Sequence, residues 1–146
     1  MIEQLGDLYR DVILEHFRHP ERKGELPDAP IKVSGANPLC GDELTYHLDA
    51  KDGRISRVRF SGKGCAISQA TASMLADELE GKSVEDARKL IAALKGMMQG
   101  SDAAKPEELG DLAALEGVRK FPVRVKCAAL SWNVIDQALN QLHNPR

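Results

Sequence analysis

Glu43-Leu44-Thr45-Tyr46-His47-Leu48-Asp49-Ala50, followed by Lys51-Asp52-Gly53 and then Arg54-Ile55-Ser56-Arg57-Val58-Arg59-Phe60-Ser61, is the stretch that decides the fold. Leu44, Tyr46 and Leu48 alternate with Thr45, His47 and Asp49, the period of a strand with one buried face. Lys51-Asp52-Gly53 is a turn signal, so the second run reads as the returning strand of a hairpin. A two-residue Asp-Gly turn sets Leu48 opposite Arg57 and mixes the faces. A three-residue loop with Gly53 in the left-handed position pairs Leu48 with Ser56, Tyr46 with Val58 and Leu44 with Phe60. That register keeps one face apolar and groups Thr45, His47, Arg57 and Arg59 on the wet face, so it is the expected one. Extended backwards, it sets Asp42 opposite Gly62 and Cys40 opposite Gly64. Opposed residues on paired strands lie ~5 Å apart. Cys40, Asp42 and Cys65 are therefore expected to cluster at the open end of the hairpin.

After Cys65 the period becomes helical through Ile67, Ala70, Thr71, Met74, Leu75 and Glu78, stopping at Gly81. Ser83-Val84-Glu85-Asp86 resembles a capping box. It opens a helix whose buried stripe is Val84, Ala87, Leu90, Ile91, Leu94 and Met98. Gly100 to Lys105 reads as a polar loop. Pro106-Glu107-Glu108 and Asp111-Leu112 read as two short helical starts, the second ending at Gly117. Pro122 precedes a last helix with the stripe Leu130, Val134, Ile135, Ala138 and Leu142, and Cys127 is expected in or just before its first turn. Before the hairpin, Leu5, Leu8, Tyr9, Val12, Ile13 and His16 mark an amphipathic helix ending near His19-Pro20. A charged connector runs from Glu21 to Pro30, and Ile31 to Ser34 is a candidate edge strand. No strand follows Cys65, so parallel crossovers are excluded. The expected fold is α+β: a small three-stranded antiparallel sheet with helices packed on one face, in one domain spanning 1–146.

The chain has 146 residues, 42% hydrophobic and 29% charged, an ordinary globular balance. A net charge of −2 with interspersed signs argues against a nucleic-acid groove or a polybasic membrane surface. No apolar run approaches the ~18 residues of a membrane span. Met1 to Asp7 lacks a basic and apolar leader pattern, so a reducing, cytoplasmic setting is expected. Nucleic-acid and membrane partners are not expected.

Three cysteines then carry the chemistry: Cys40 beside Asp42, Cys65 in Gly62-Lys63-Gly64-Cys65, and Cys127 in Arg124-Val125-Lys126-Cys127. Soft thiolates favour zinc, copper(I) or iron–sulfur clusters. The spacing is not that of a standard zinc finger, and each cysteine taken singly is also readable as a small buried hydrophobe. A Cys40–Cys65 disulfide is a further alternative, disfavoured in a reducing compartment. Cys127 near a helix start, with Arg124 and Lys126 adding positive charge, is expected to favour the thiolate. Gly62-Lys63-Gly64 is not a phosphate loop. His16, His19, His47 and His143 read as structural or solvated, Ser68 and Ser73 have no sequence-visible base, and Trp132 reads as packing.

Asn37-Pro38-Leu39-Cys40-Gly41-Asp42, Gly62 to Ser68 and Arg124 to Ala128, in this order, resemble the motifs of the iron–sulfur cluster scaffold superfamily that includes IscU, the NifU N-terminal domain and SufU. The resemblance implies a compact α+β domain with metal ligands at Cys40, Asp42, Cys65 and Cys127; Arg124 and Lys126, by their charge beside Cys127, are candidate auxiliary groups. IscU-type members carry histidine where this chain has Lys126, and a Leu-Pro-Pro-Val-Lys motif where it has Lys120-Phe121-Pro122-Val123-Arg124. The resemblance is therefore closest to the SufU type. It implies bound zinc and a SufS-type cysteine desulfurase as partner. In the implied mechanism a desulfurase histidine takes the place of Cys40 on the metal. The freed Cys40 thiolate then accepts persulfide sulfur and passes it to downstream iron–sulfur assembly proteins. The alternative is a scaffold that builds and transfers an iron–sulfur cluster on the same ligands; a purely structural zinc domain is a third reading.

Overall fold

A computed structural model describes residues 7–38, 41–100 and 109–143. Cys40, Leu5, most of the expected 100–105 loop and the expected helical start at 106–108 lie outside the described residues, as do the side chains of Leu8, Tyr9 and Leu142. In chain order the elements are α1 (Asp7–Arg18), β1 (Ile31–Asn37), β2 (Asp42–Lys51), β3 (Arg54–Lys63), α2 (Ala66–Leu79) and α3 (Val84–Met98). A 3₁₀ segment (Gly110–Lys120) and α4 (Pro122–His143) complete them. The strands form an antiparallel sheet of order β1-β2-β3. Its apolar face packs against α2 and α4, as the α+β reading expects. Ile31, Val33, Leu44, Tyr46, Leu48, Val58 and Phe60 form the sheet's share of the core. Tyr46 stays buried because its hydroxyl donates to the Ala72 carbonyl at 2.8 Å. The region around α2 is buried almost throughout its length, between α1, α4, the 3₁₀ segment and β3.

The hairpin register corrects the sequence reading. Asp52 and Gly53 both have positive φ, 55° and 78°, so they form the two-residue turn that suits Asp-Gly. Lys51 pairs with Arg54 and Ala50 with Ile55, and the ladder then shifts between Asp49 and Ala50. Ser56 is the extra residue, and its hydroxyl donates to the Asp49 carbonyl at 3.0 Å. Beyond this bulge Leu48 faces Val58, Tyr46 faces Phe60 and Leu44 faces Gly62, each two residues away from the expected partner. A shift of two preserves which side chains share a face, so the apolar face is right although the pairing is not.

The second face is not simply wet. His47 is only 3% exposed, with Nε2 3.1 Å from Ser61 Oγ. Burial, with Lys32 adding to it, lowers the imidazole pKa and favours the neutral ring. The connector after α1 runs beside this face, where the Glu25 carboxylate acts on the His47 ring, and it pairs with β3: Gly24 N–H donates to the Phe60 carbonyl at 2.8 Å, and Phe60 N–H donates to the Arg22 carbonyl at 3.1 Å. The outer edge of β3 is thereby closed. Ile55 N–H donates to the Lys82 carbonyl at 2.8 Å, and Val58 N–H donates to Glu80 Oε1 at 2.9 Å.

Glu80 also accepts from Arg22 Nε at 2.9 Å and Arg59 Nη1 at 3.0 Å, so one carboxylate joins the connector, β3 and the end of α2. Burial pushes this carboxyl up, but the Val58 amide and the two guanidiniums outweigh it, and the pKa lies below its ordinary value of 4.5. A lowered folded value means that the stabilisation is present above about pH 4.5 and is lost as pH falls through the folded pKa. Glu80→Gln is expected to destabilise the fold by about 1–2 kcal/mol near neutrality, discounted for solvent access. The penalty shrinks below pH 4.5 as the wild-type carboxylate protonates. Urea titrations of both proteins across that range check it.

One further expectation changes. The 3₁₀ segment runs through Gly117 instead of ending there. Leu112, Ala114, Leu115 and Val118 are buried on both sides of that glycine, so packing carries the backbone through it. Ser83 caps α3 as expected, accepting from Asp86 N–H at 3.0 Å. Among the described residues, no helix is long and apolar enough to cross a membrane.

Candidate metal centre

Asp42 opens β2 and is paired across the sheet with Asn37. Cys65 follows β3 at the N-cap of α2, where its side chain makes no capping bond. Cys127 lies on α4, fully buried. One donor atom from each of Asp42, Cys65 and Cys127 lies within 4.8 Å of the other two. Two donors bound to one zinc ion at about 2.0–2.3 Å stand no more than about 4.6 Å apart, so this spread is close to that of a common ion.

The Asp42 carboxylate is the best evidence that the residues fit a metal. It is 1% exposed. Its Oδ1 accepts from the Cys65 N–H at 3.0 Å, while Oδ2 is buried with no hydrogen-bond partner among the described residues. A buried carboxylate oxygen without a partner is costly, and a cation is one group that removes the cost. The hydrogen bond at Oδ1 fixes the carboxylate's orientation, as is usual for metal-ligating carboxylates. Gly64 is part of the same fit: a Cβ there would stand 2.4 Å from Asp42 Oδ1 and 2.4 Å from Ser68 Oγ. The glycine lets the chain after β3 close over the carboxylate.

The hairpin shift alters how Asp42 and Cys65 meet, not that they meet. Glu43 pairs with Lys63, which carries Asp42 toward Gly64 instead of toward Gly62. The expected placement of Cys40 opposite Gly64 falls outside the described residues. Cys127 also differs from expectation. Pro122 is the first residue of α4, so Cys127 sits in its second turn, beyond the reach of the helix-start charge. The residue at a helix start is Cys65, where that partial positive charge favours an anionic ligand set. Cys127 donates to the Val123 carbonyl at 3.6 Å and is approached by Asn37 Nδ2 at 3.9 Å. Lys126 is exposed and Arg124 half-buried in the opening turns of α4.

A second cluster lies apart from these donors. His16 Nδ1 is 2.8 Å from Ser73 Oγ, and His16 Nε2 is 2.8 Å from Asp111 Oδ2. Sequence reading leaves Ser73 without a base because the three residues lie far apart in the chain. The order resembles a nucleophile, base and orienting acid, but Ser73 is 0% exposed and offers a substrate no approach. The trio ties α1 to α2 and the 3₁₀ segment. Trp132 is buried, as its packing role requires.

Comparison with known proteins places the chain in a family. Residues 8–128 match the family described as NifU-like N terminal domain. The chain belongs to that family. The zinc-dependent sulfurtransferase SufU of Bacillus subtilis is 40% identical over 92% of this chain and 91% of its own length. The iron–sulfur cluster assembly scaffold protein IscU of Streptococcus pyogenes is 36% identical over 98% of this chain and 89% of its own. A nitrogen-fixing NifU-like protein (N-terminal) of Brucella abortus superposes with a TM-score of 0.85 at 25% identity, covering 96% of this chain and 97% of that structure.

Proposed function

We propose that this NifU-like chain serves iron–sulfur cluster assembly as a zinc-dependent sulfurtransferase. The observation that carries the reading is the Asp42, Cys65 and Cys127 donor set, with an Asp42 oxygen that has no hydrogen-bond partner among the described residues, in a chain 40% identical to a protein named for that activity. Asp42, Cys65 and Cys127 would hold the ion, with Cys40 as the fourth donor. Zinc, when bound, supplies a Lewis-acid centre that keeps the thiols deprotonated near neutral pH. Asp42 is held in place by the Cys65 amide, and Cys127 by the core beneath it. Cys40 is the sulfur acceptor.

In the transfer step the Cys40 thiolate attacks the outer sulfur of a cysteine persulfide on a SufS-type desulfurase. The new S–S bond forms at Cys40, the donor's S–S bond breaks, and the donor cysteine leaves as thiolate. Sulfur then passes to downstream assembly proteins by the same exchange. Arg124 and Lys126, cationic residues three and one positions before Cys127, would draw an anionic persulfide toward the site. The side chain before Cys127 is a lysine, whose protonated amine is not a metal donor.

The test is incubation with desulfurase and cysteine, followed by mass spectrometry. Wild type is expected to carry zinc and gain one sulfur atom on Cys40; Cys40→Ala is expected to gain none and to lose desulfurase stimulation. Normal sulfur transfer by Cys40→Ala would overturn the mechanism. A second reading, a scaffold for a labile cluster, is favoured by the name and full-length similarity of the IscU relative. Anaerobic loading with iron and sulfide separates the two, because a cluster absorbs visible light and zinc does not.

A further inference from the structure

β1 turns Ile31, Val33, Gly35 and Asn37 toward one side of the sheet. Ile31 and Val33 are buried in the core. At Gly35 the strand lies directly against α4, since a Cβ there would stand 2.8 Å from Val134 Cγ2 and 3.1 Å from Leu130 Cδ1. The next position on this face is Asn37, and the next position toward the start of α4, one turn before Leu130, is Cys127. There the Asn37 Nδ2 lies 3.9 Å from Cys127 Sγ. A half-buried amide thus occupies a position that the strand pattern otherwise gives to apolar side chains, and it meets a sulfur. Its backbone is held by the ladder opposite Asp42.

We propose that Asn37 is a positioning residue of the metal centre: its amide N–H donates to the Cys127 sulfur, orients it and tempers its electron donation to the ion. The inference rests on the reading that Asp42, Cys65 and Cys127 bind a metal. A neutral thiol is a weak acceptor, consistent with a long 3.9 Å contact. A metal-bound thiolate has no S–H to offer the Val123 carbonyl and accepts more strongly, so the Asn37 bond strengthens on loading. One strand end then holds both a ligand's partner, Asn37, and, across the ladder, the ligand Asp42.

The experiment loads wild type, Asn37→Leu and Asn37→Ser with Co²⁺ and records the thiolate-to-cobalt charge-transfer absorption. Leucine keeps the side-chain shape, and serine keeps polarity but stops short of the sulfur. Both variants are expected to shift the band to longer wavelength, because a thiolate that accepts one hydrogen bond fewer is easier to oxidise. Zn²⁺ affinity, measured by competition with a chromophoric chelator, is expected to fall about tenfold. Melting temperatures of the metal-free proteins report the fold separately. An unchanged band and affinity in either folded variant overturns the proposal, as does a lowered metal-free melting temperature with an unchanged band. Failure of wild type to take up Co²⁺ or Zn²⁺ overturns the metal reading beneath it.

Discussion

Gly62→Ala is expected to destabilise the protein by at least about 3 kcal/mol, because it combines overpacking with backbone strain. Gly62 has φ +133°, outside the range that L side chains readily adopt. An added Cβ would stand 2.1 Å from the Glu43 carbonyl oxygen, 2.9 Å from its carbon and 3.0 Å from Leu44 Cα. All three are backbone atoms of β2 held in a ladder, so no side chain can rotate away. Relief requires β2 and β3 to separate at their open end, next to Asp42, and metal binding should fall with stability. Gly35→Ala is the matched control. Its Cβ meets only the ends of the Val134 and Leu130 side chains, at 2.8 and 3.1 Å, and is expected to cost about 1 kcal/mol. Denaturant unfolding of the two variants gives the comparison; equal, small losses would show that the strands do not approach as closely as described.

Gly64→Ala is expected to act on the site more than on the fold. Its Cβ would overlap Asp42 Oδ1 and Ser68 Oγ, each at 2.4 Å. The Ser68 hydroxyl can turn away, losing its 3.3 Å bond to the Cys65 carbonyl. Asp42 is buried and bonded to the Cys65 amide, so it moves only by giving up that bond. The expected result is about a 100-fold loss of zinc affinity, the upper end for disturbing a ligand's support, and about 1–3 kcal/mol of lost stability. Adding Ser68→Ala removes one of the two clashes. The double variant should regain part of the stability and none of the affinity. Thermal melts and chelator competition on the three proteins measure both; recovery of affinity in the double variant would move the effect from Asp42 to Ser68.

Much of this arrangement is legible in the chain. Alternation from Leu44 to Leu48 and from Val58 to Phe60 names the buried face, and Ser83 and Gly81 mark a helix start and stop. The meeting of Asp42 with Cys65 follows from a hairpin whose ends carry those residues. The place of Cys127 in the same cluster comes from motif resemblance, because no local pattern links it to residues so distant in sequence. His16, Ser73 and Asp111 are hidden for the same reason.

The order of elements, the side of each that is buried, and one end of the sheet as the site are therefore readable along the chain. Those properties follow from local periodicity and turn chemistry, which act over a few residues. The offset of β2 on β3 is set by the three-dimensional fold, since a two-residue slip leaves every face unchanged and only the Ser56 bulge and the Asp52-Gly53 turn select it. The fold also decides that His47 is buried, that Cys127 stands in the second turn of α4, and that Asn37 meets its sulfur. Each depends on where one element lies against another, and that is set by packing across the whole core.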